Sequence, residues 1–132
     1  MSQPASPQTG GQGALKPFAL ERLYPDGGPP GIVEVRVSGF LDAHTVDVFE
    51  KSMEETIAQG YNRVIMNLGA LNYISSAGIG ALMVLLQQLR RRQGEMVILQ
   101  PSAKVFKILD LLGFTKIFSI ADSPEAARQH LA

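Results

Sequence analysis

Asn72-Tyr73-Ile74-Ser75-Ser76-Ala77-Gly78-Ile79-Gly80 is the stretch on which the reading of this 132-residue chain turns. The run Val64-Ile65-Met66-Asn67-Leu68 before it has the length and composition of a buried strand. The run from Ala81 to Leu89 after it has the apolar density of a helix. The nine residues form a turn from strand to helix, with two serines and then two glycines at the helix start. Free N–H groups and the positive end of the helix dipole meet at such a start, so a phosphoryl group is tolerated there. Ser76 reads as a regulatory phosphorylation site and not as a catalytic nucleophile. The plainer alternative makes Ser75 and Ser76 simple caps, with Gly78 and Gly80 allowing close packing. Yet each glycine lowers helix stability by up to ~1 kcal/mol relative to alanine. A cap alone has no need of them; a surface where another protein approaches the backbone does.

Upstream, residues 18–24 suit a strand, and Pro25-Asp26-Gly27-Gly28-Pro29-Pro30-Gly31 is dense turn chemistry. Residues 32–39 alternate, with Val33, Val35 and Val37 on one side and Glu34, Arg36 and Ser38 on the other, so the two runs predict a hairpin. From Asp42 or Ala43 to Gln59, the apolar Val46, Phe49, Met53 and Ile57 recur at helical steps, and Gly60 suits a left-handed helix end. Downstream, the second helix runs from about Ser76 to Gln93 and Gly94 ends it. Arg90-Arg91-Arg92 in its last turn reads as a solvated, dipole-compensating helix end. Residues 95–100 form a buried-type strand, Ser102 caps a helix to about Leu112, and residues 115–120 read as a last strand. Ser123-Pro124-Glu125 then opens a short final helix. The order β-β-α-β-α-β-α-β-α predicts an α/β fold: a mixed, mostly parallel sheet with helices packed against it. Residues 1–16 are Gly, Gln, Ser, Pro and Ala with few bulky side chains and read as a disordered tail, leaving one domain over 17–132.

Composition narrows the function classes. Lys+Arg and Asp+Glu each number 12, so general nucleic-acid binding has no electrostatic basis. The absence of cysteine removes disulfides and thiolate zinc sites, and His44 and His130 show no ligand spacing. No segment has the apolar length of a membrane span and the N-terminus has no signal-peptide pattern, so a cytoplasmic protein without a membrane role is expected.

Catalysis finds little support. Ile74-Ser75-Ser76-Ala77-Gly78 is not the G-x-S-x-G elbow, and His44 is the only plausible base. Gly78-Ile79-Gly80 lacks both the G-x-G-x-x-G spacing and a phosphate-binding lysine. The acids Asp42, Asp47, Glu50, Glu54 and Glu55 fall on the polar side of one helix, as solvent contacts do. The chain is expected not to be an enzyme and to need no cofactor or metal. The apolar residues of the 102–112 helix exceed one narrow stripe, so Phe106 is a candidate for an exposed docking face.

Four segments in order resemble the bacterial anti-sigma-factor antagonist family, the STAS domain. They are Val35-Arg36-Val37-Ser38-Gly39-Phe40-Leu41-Asp42, the stretch from Asn67 to Gly80, Gly94-Glu95-Met96-Val97-Ile98, and Val105 to Phe114. The resemblance spans about residues 18–131. It implies a partner-switching protein that binds a GHKL-type serine kinase doubling as an anti-sigma factor. It further implies inactivation by phosphorylation at Ser76 and reversal by a PP2C-type phosphatase. Ser75 stands where the family has an acid and is an alternative acceptor; Ala77 stands where the family has Ser or Thr. Asp42, Ser75, Ser76, Ala77, Gly78, Ile79 and Phe106 become the expected partner surface, with Phe40 a departure that alters it. The rival expectation is a STAS scaffold in another signalling or transport complex, with no sigma factor involved.

Overall fold

The computed structural model describes residues 18–24 and 31–132. The tail expected over 1–16 and the turn residues 25–30 lie outside the described residues. The elements are β1 (Phe18–Leu23), β2 (Ile32–Leu41), α1 (Val46–Ala58), β3 (Arg63–Asn67), β4 (Leu71–Ile74), α2 (Ser76–Arg91), β5 (Glu95–Leu99), α3 (Ala103–Leu111), β6 (Ser119–Ala121) and α4 (Pro124–Leu131). β1 pairs antiparallel with β2, and the other pairings are parallel. The sheet runs β1-β2-β3-β5-β6, with β4 also paired to β2.

The strand order explains the layers. β2, β3, β5 and β6 succeed one another in one direction, so right-handed crossovers carry α1, α2 and α3 to the same face. On that face Val33, Val35 and Val37 of β2 meet Val64 and Met66 of β3, Met96 and Ile98 of β5, and the buried sides of the three helices. The intervening strand residues point the other way. There α4 follows the last strand and packs Ala127 and Leu131 on Ile32, Ile65, Val97 and Leu99. Two-sided burial of this part of the sheet accounts for the nearly unbroken apolar runs of β3 and β5.

Several boundaries differ from the sequence reading. Residues 71–74, expected as a turn, form the short parallel strand β4. Its buried-exposed-exposed-buried pattern lacks the alternation that marks a strand. It pairs with the far half of β2, and the register slips at Gly39/Phe40, where Asn72 is the extra residue. Gly39 takes φ +87° at that irregularity.

α1 begins at Val46, later than expected. The carboxylate oxygen Oδ1 of Asp42 accepts the backbone N–H groups of His44 (2.9 Å) and Thr45 (3.2 Å), while Thr45 Oγ1 donates to the Phe40 carbonyl at 2.8 Å. Side-chain bonds of this kind hold the backbone in a turn in place of a first helical turn.

The strand expected at 115–120 starts late: Phe114–Lys116 is a 3-10 turn, and β6 spans only Ser119–Ala121. Gly113 at φ +83° reverses the chain, and the Phe114 and Phe118 rings then stack with centroids 6.0 Å apart. Gly60 takes the left-handed conformation expected of it, at φ +101°. At the end of α2, however, Gln93 is the left-handed residue, and Gly94 is needed for space, since a Cβ there would overlap the backbone of Asn62. Arg90 pairs with Glu95 at 3.0 Å, while Arg91 and Arg92 stay exposed, in keeping with a solvated helix end.

Candidate functional site

The start of α2 is built by the end of β2. Leu41 pairs with Ile74, and the Leu41 carbonyl also accepts the Ser75 N–H at 3.0 Å. Ser75 is therefore held extended, at φ −95° and ψ 175°, as the last residue of the strand path. Its side-chain oxygen accepts the Gly78 N–H at 3.3 Å, and its carbonyl accepts the Ile79 N–H at 2.9 Å. Ser75 is thus the N-cap, and its hydroxyl oxygen is engaged in satisfying a first-turn donor.

Ser76 is the first residue of α2. Its side chain is exposed, and no described residue forms a hydrogen bond with its hydroxyl. No acidic residue stands in the first turn of α2 itself, where a negative charge would favour the positive end of the helix dipole.

The two glycines have opposite reasons. Gly78 is buried, and a Cβ on it would stand 2.5 Å from the Leu41 carbonyl oxygen and 2.8 Å from Ile74 Cγ1. Glycine lets α2 close onto the end of β2. Gly80 is exposed, and a Cβ on it would meet nothing within 4 Å. Only Gly80 fits the expectation of a backbone laid bare toward solvent.

The structure brings Ser75, Ser76 and Ala77 to the surface beside the Asp42 turn, and it buries Gly78 and Ile79 beneath them. Asp42 is half-buried, its carboxylate committed to the turn that follows β2. Phe106 is 41% exposed on α3, and Leu111 and Leu112 at the end of that helix are more exposed still. α3 packs chiefly against β4 and the 3-10 turn. Lys104 Nζ lies 5.8 Å from the centroid of the Tyr73 ring, so the first turn of α3 borders the strand that leads to Ser76.

The link between α3 and β4 has no signal in the local sequence. Ser102 caps α3 by accepting the Val105 N–H at 3.3 Å, as its position suggested. It also donates to the Leu71 carbonyl at 2.6 Å, a contact across 31 positions that no local pattern signals.

His44 is exposed in the turn before α1, and no side-chain bond joins it to Ser76. Among the described residues no group of three or more His, Cys, Asp or Glu could hold a metal ion, and no helix is long and apolar enough to cross a membrane.

Comparisons with known proteins agree with this architecture. The STAS domain family model matches residues 27–127. BtrV of Bordetella bronchiseptica, a candidate anti-sigma factor antagonist, is 33% identical over 97 residues, covering 74% of this chain and 84% of BtrV. Among solved structures, the anti-sigma factor antagonist SpoIIAA in its unphosphorylated form superposes with a TM-score of 0.67 at 26% identity, covering 86% of this chain and 95% of SpoIIAA. The Thermotoga maritima protein tm1081 superposes with a TM-score of 0.72 over 82% of this chain and 93% of its own, and at 21% identity it shares the fold. The chain belongs to the STAS domain family, the family of the bacterial anti-sigma-factor antagonists.

Proposed function

We propose that the protein is an anti-sigma-factor antagonist that works by partner switching. In its unmodified form it binds a GHKL-type serine kinase that is also an anti-sigma factor, and so releases the sigma factor. The kinase phosphorylates Ser76 and the antagonist lets go; a PP2C-type phosphatase restores it. The observation that carries the reading is the division of labour between the two serines. Ser75 is spent on the cap, while Ser76 presents an unengaged hydroxyl on the bare start of α2. The names of its relatives and the existence of SpoIIAA in a phosphorylated form support the same role.

The proposed mechanism is electrostatic and local. Phosphorylation adds about −1.5 to −2 charges at neutral pH. At the first position of α2 the protein tolerates that charge, since backbone N–H groups and the dipole face it. The docked partner does not. Burying an unmatched charge costs several kcal/mol, and each ~1.4 kcal/mol is tenfold in affinity. Release then needs no refolding of the antagonist. Asp42, Ser75 and Ala77 surround the acceptor in this reading, and Phe106 supplies an aromatic contact from α3.

The test is phosphorylation by the cognate kinase with ATP, followed by peptide mass spectrometry and binding assays. Phosphate at Ser76, kinase-resistant binding by Ser76→Ala and lost binding by Ser76→Asp are expected. Phosphate on neither Ser75 nor Ser76 overturns the reading. Equal partner binding by Ser76→Asp and the unchanged protein points instead to a STAS scaffold.

A further inference from the structure

β1 is an open edge of the sheet. Among the described residues it pairs only with β2, so its outer row of N–H and C=O groups has no backbone partner. Proteins ordinarily blunt such edges with short strands, prolines or bulges, because an unpaired row templates another strand. The opposite edge, β6, follows that rule with only three residues. β1 does not. Its six residues include no proline or glycine, and they pair with β2 from Phe18 to Leu23 without a shift of register.

α1 forms a wall along this edge. Phe18, Leu20 and Arg22 point to the helix side, where Phe18 and Leu20 are half-buried against the core. Arg22 donates to Thr56 Oγ1 at 3.0 Å and approaches Glu55 at 4.0 Å. α1 returns from β2 to the parallel β3, so it runs in the same direction as β1, with Val48 towards the Phe18 end. Val48, Lys51, Ser52 and Glu55 share one stripe of α1. Val48 is 59% exposed, and Lys51 has no ion pair among the described residues.

We infer that β1 is a self-association edge, through which two copies of this chain join antiparallel into one continuous sheet. The edge is self-complementary in one register. With Leu20 opposite its own copy on the two-fold axis, Ala19 faces Glu21 and Phe18 faces Arg22, so no like charges are opposed. Placing Glu21 on the axis instead sets two carboxylates side by side. In the favoured register the two α1 stripes also run antiparallel. Each Lys51 then comes towards the other copy's Glu55, and Val48 is covered. One edge supplies both members of every pair, which selects a second copy over an unrelated strand. The inference does not rest on the proposed function, since Ser76 is not among the pairing residues.

The test is sedimentation of the full chain across a concentration series, with variants in both layers. A concentration-dependent dimer is expected. The chain has no cysteine, so a single introduced thiol reports one contact. Leu20→Cys should form a disulfide-linked dimer on mild oxidation, because residues on the axis lie directly opposite each other. Lys51→Glu should weaken the dimer by about tenfold, since it sets like charges across the axis twice. The exchange Lys51→Glu/Glu55→Lys should restore it. Both of these positions are exposed, so the exchange decides the matter even if Leu20→Cys fails to fold. A monomer up to about 1 mM overturns the inference. So does a dimer that a folded Leu20→Cys does not link, or a loss on Lys51→Glu that the exchange does not reverse. None of these readings depends on whether a kinase modifies Ser76.

Discussion

A Cβ on Gly78 would stand 2.5 Å from the carbonyl oxygen of Leu41, the same oxygen that accepts the Ser75 N–H. The end of β2 and the first turn of α2 are thus locked together at glycine-only separation. Gly78→Ala is expected to destabilise the fold by about 1–3 kcal/mol, the usual range for overpacking. Chemical denaturation measures this, and an unchanged midpoint would show that the two elements can part without loss.

Gly80→Ala should do the reverse. The site is open, so alanine gains its helix preference, up to ~1 kcal/mol, without a clash. A raised melting temperature for Gly80→Ala beside a lowered one for Gly78→Ala would separate the two glycines; matching signs would refute the distinction.

Ser75→Ala and Ser76→Ala should differ in stability as well as in modification. Loss of the Ser75 cap is expected to cost about 0.5–2 kcal/mol. Ser76→Ala, at an exposed position without a side-chain bond, should stay within about 0.5 kcal/mol of the parent. Equal losses in urea titrations would mean that the capping role is shared.

Phosphorylation of Ser76 should stabilise the free protein. With no acid in the first turn of α2, a phosphoryl group there should add about 0.3–1 kcal/mol at low ionic strength. Melting curves of the modified and unmodified protein test the sign, and a lower melting temperature for the phosphorylated form would contradict the proposed tolerance of the charge.

Ser102→Ala is expected to destabilise more than Ser75→Ala. It removes a cap worth about 1 kcal/mol and leaves the Leu71 carbonyl without its donor, a further loss of about 1–3 kcal/mol. Phe106→Ala, by contrast, should fold normally. If Phe106 is a docking anchor, its truncation should weaken partner binding by about 2 kcal/mol. A folded variant with undiminished binding, measured by calorimetry, would remove Phe106 from the partner surface.

The sequence by itself determined the periodic elements. The alternation at Val33, Val35 and Val37 placed one face of β2 in the core, and the helical recurrence of Phe49 and Met53 did the same for α1. The capping of α3 and α4 by Ser102 and Ser123 was equally legible, because it depends on neighbours three residues away. The start of α2 at the serine–glycine stretch was legible on the same local grounds.

Tertiary structure decided the rest. Nothing within four residues tells Ser75 from Ser76, or Gly78 from Gly80. What separates them is the end of β2, some 35 positions earlier, whose Leu41 carbonyl holds Ser75 in the strand path and leaves no room at Gly78. β4 is illegible in the sequence for the same reason, since its two buried residues answer to Gly39 and Leu41 and not to a period of their own. Short-range patterns fix what a segment can become. Which of two adjacent serines is tied down, and which keeps an unengaged hydroxyl, follows from a contact that exists only once the chain has folded.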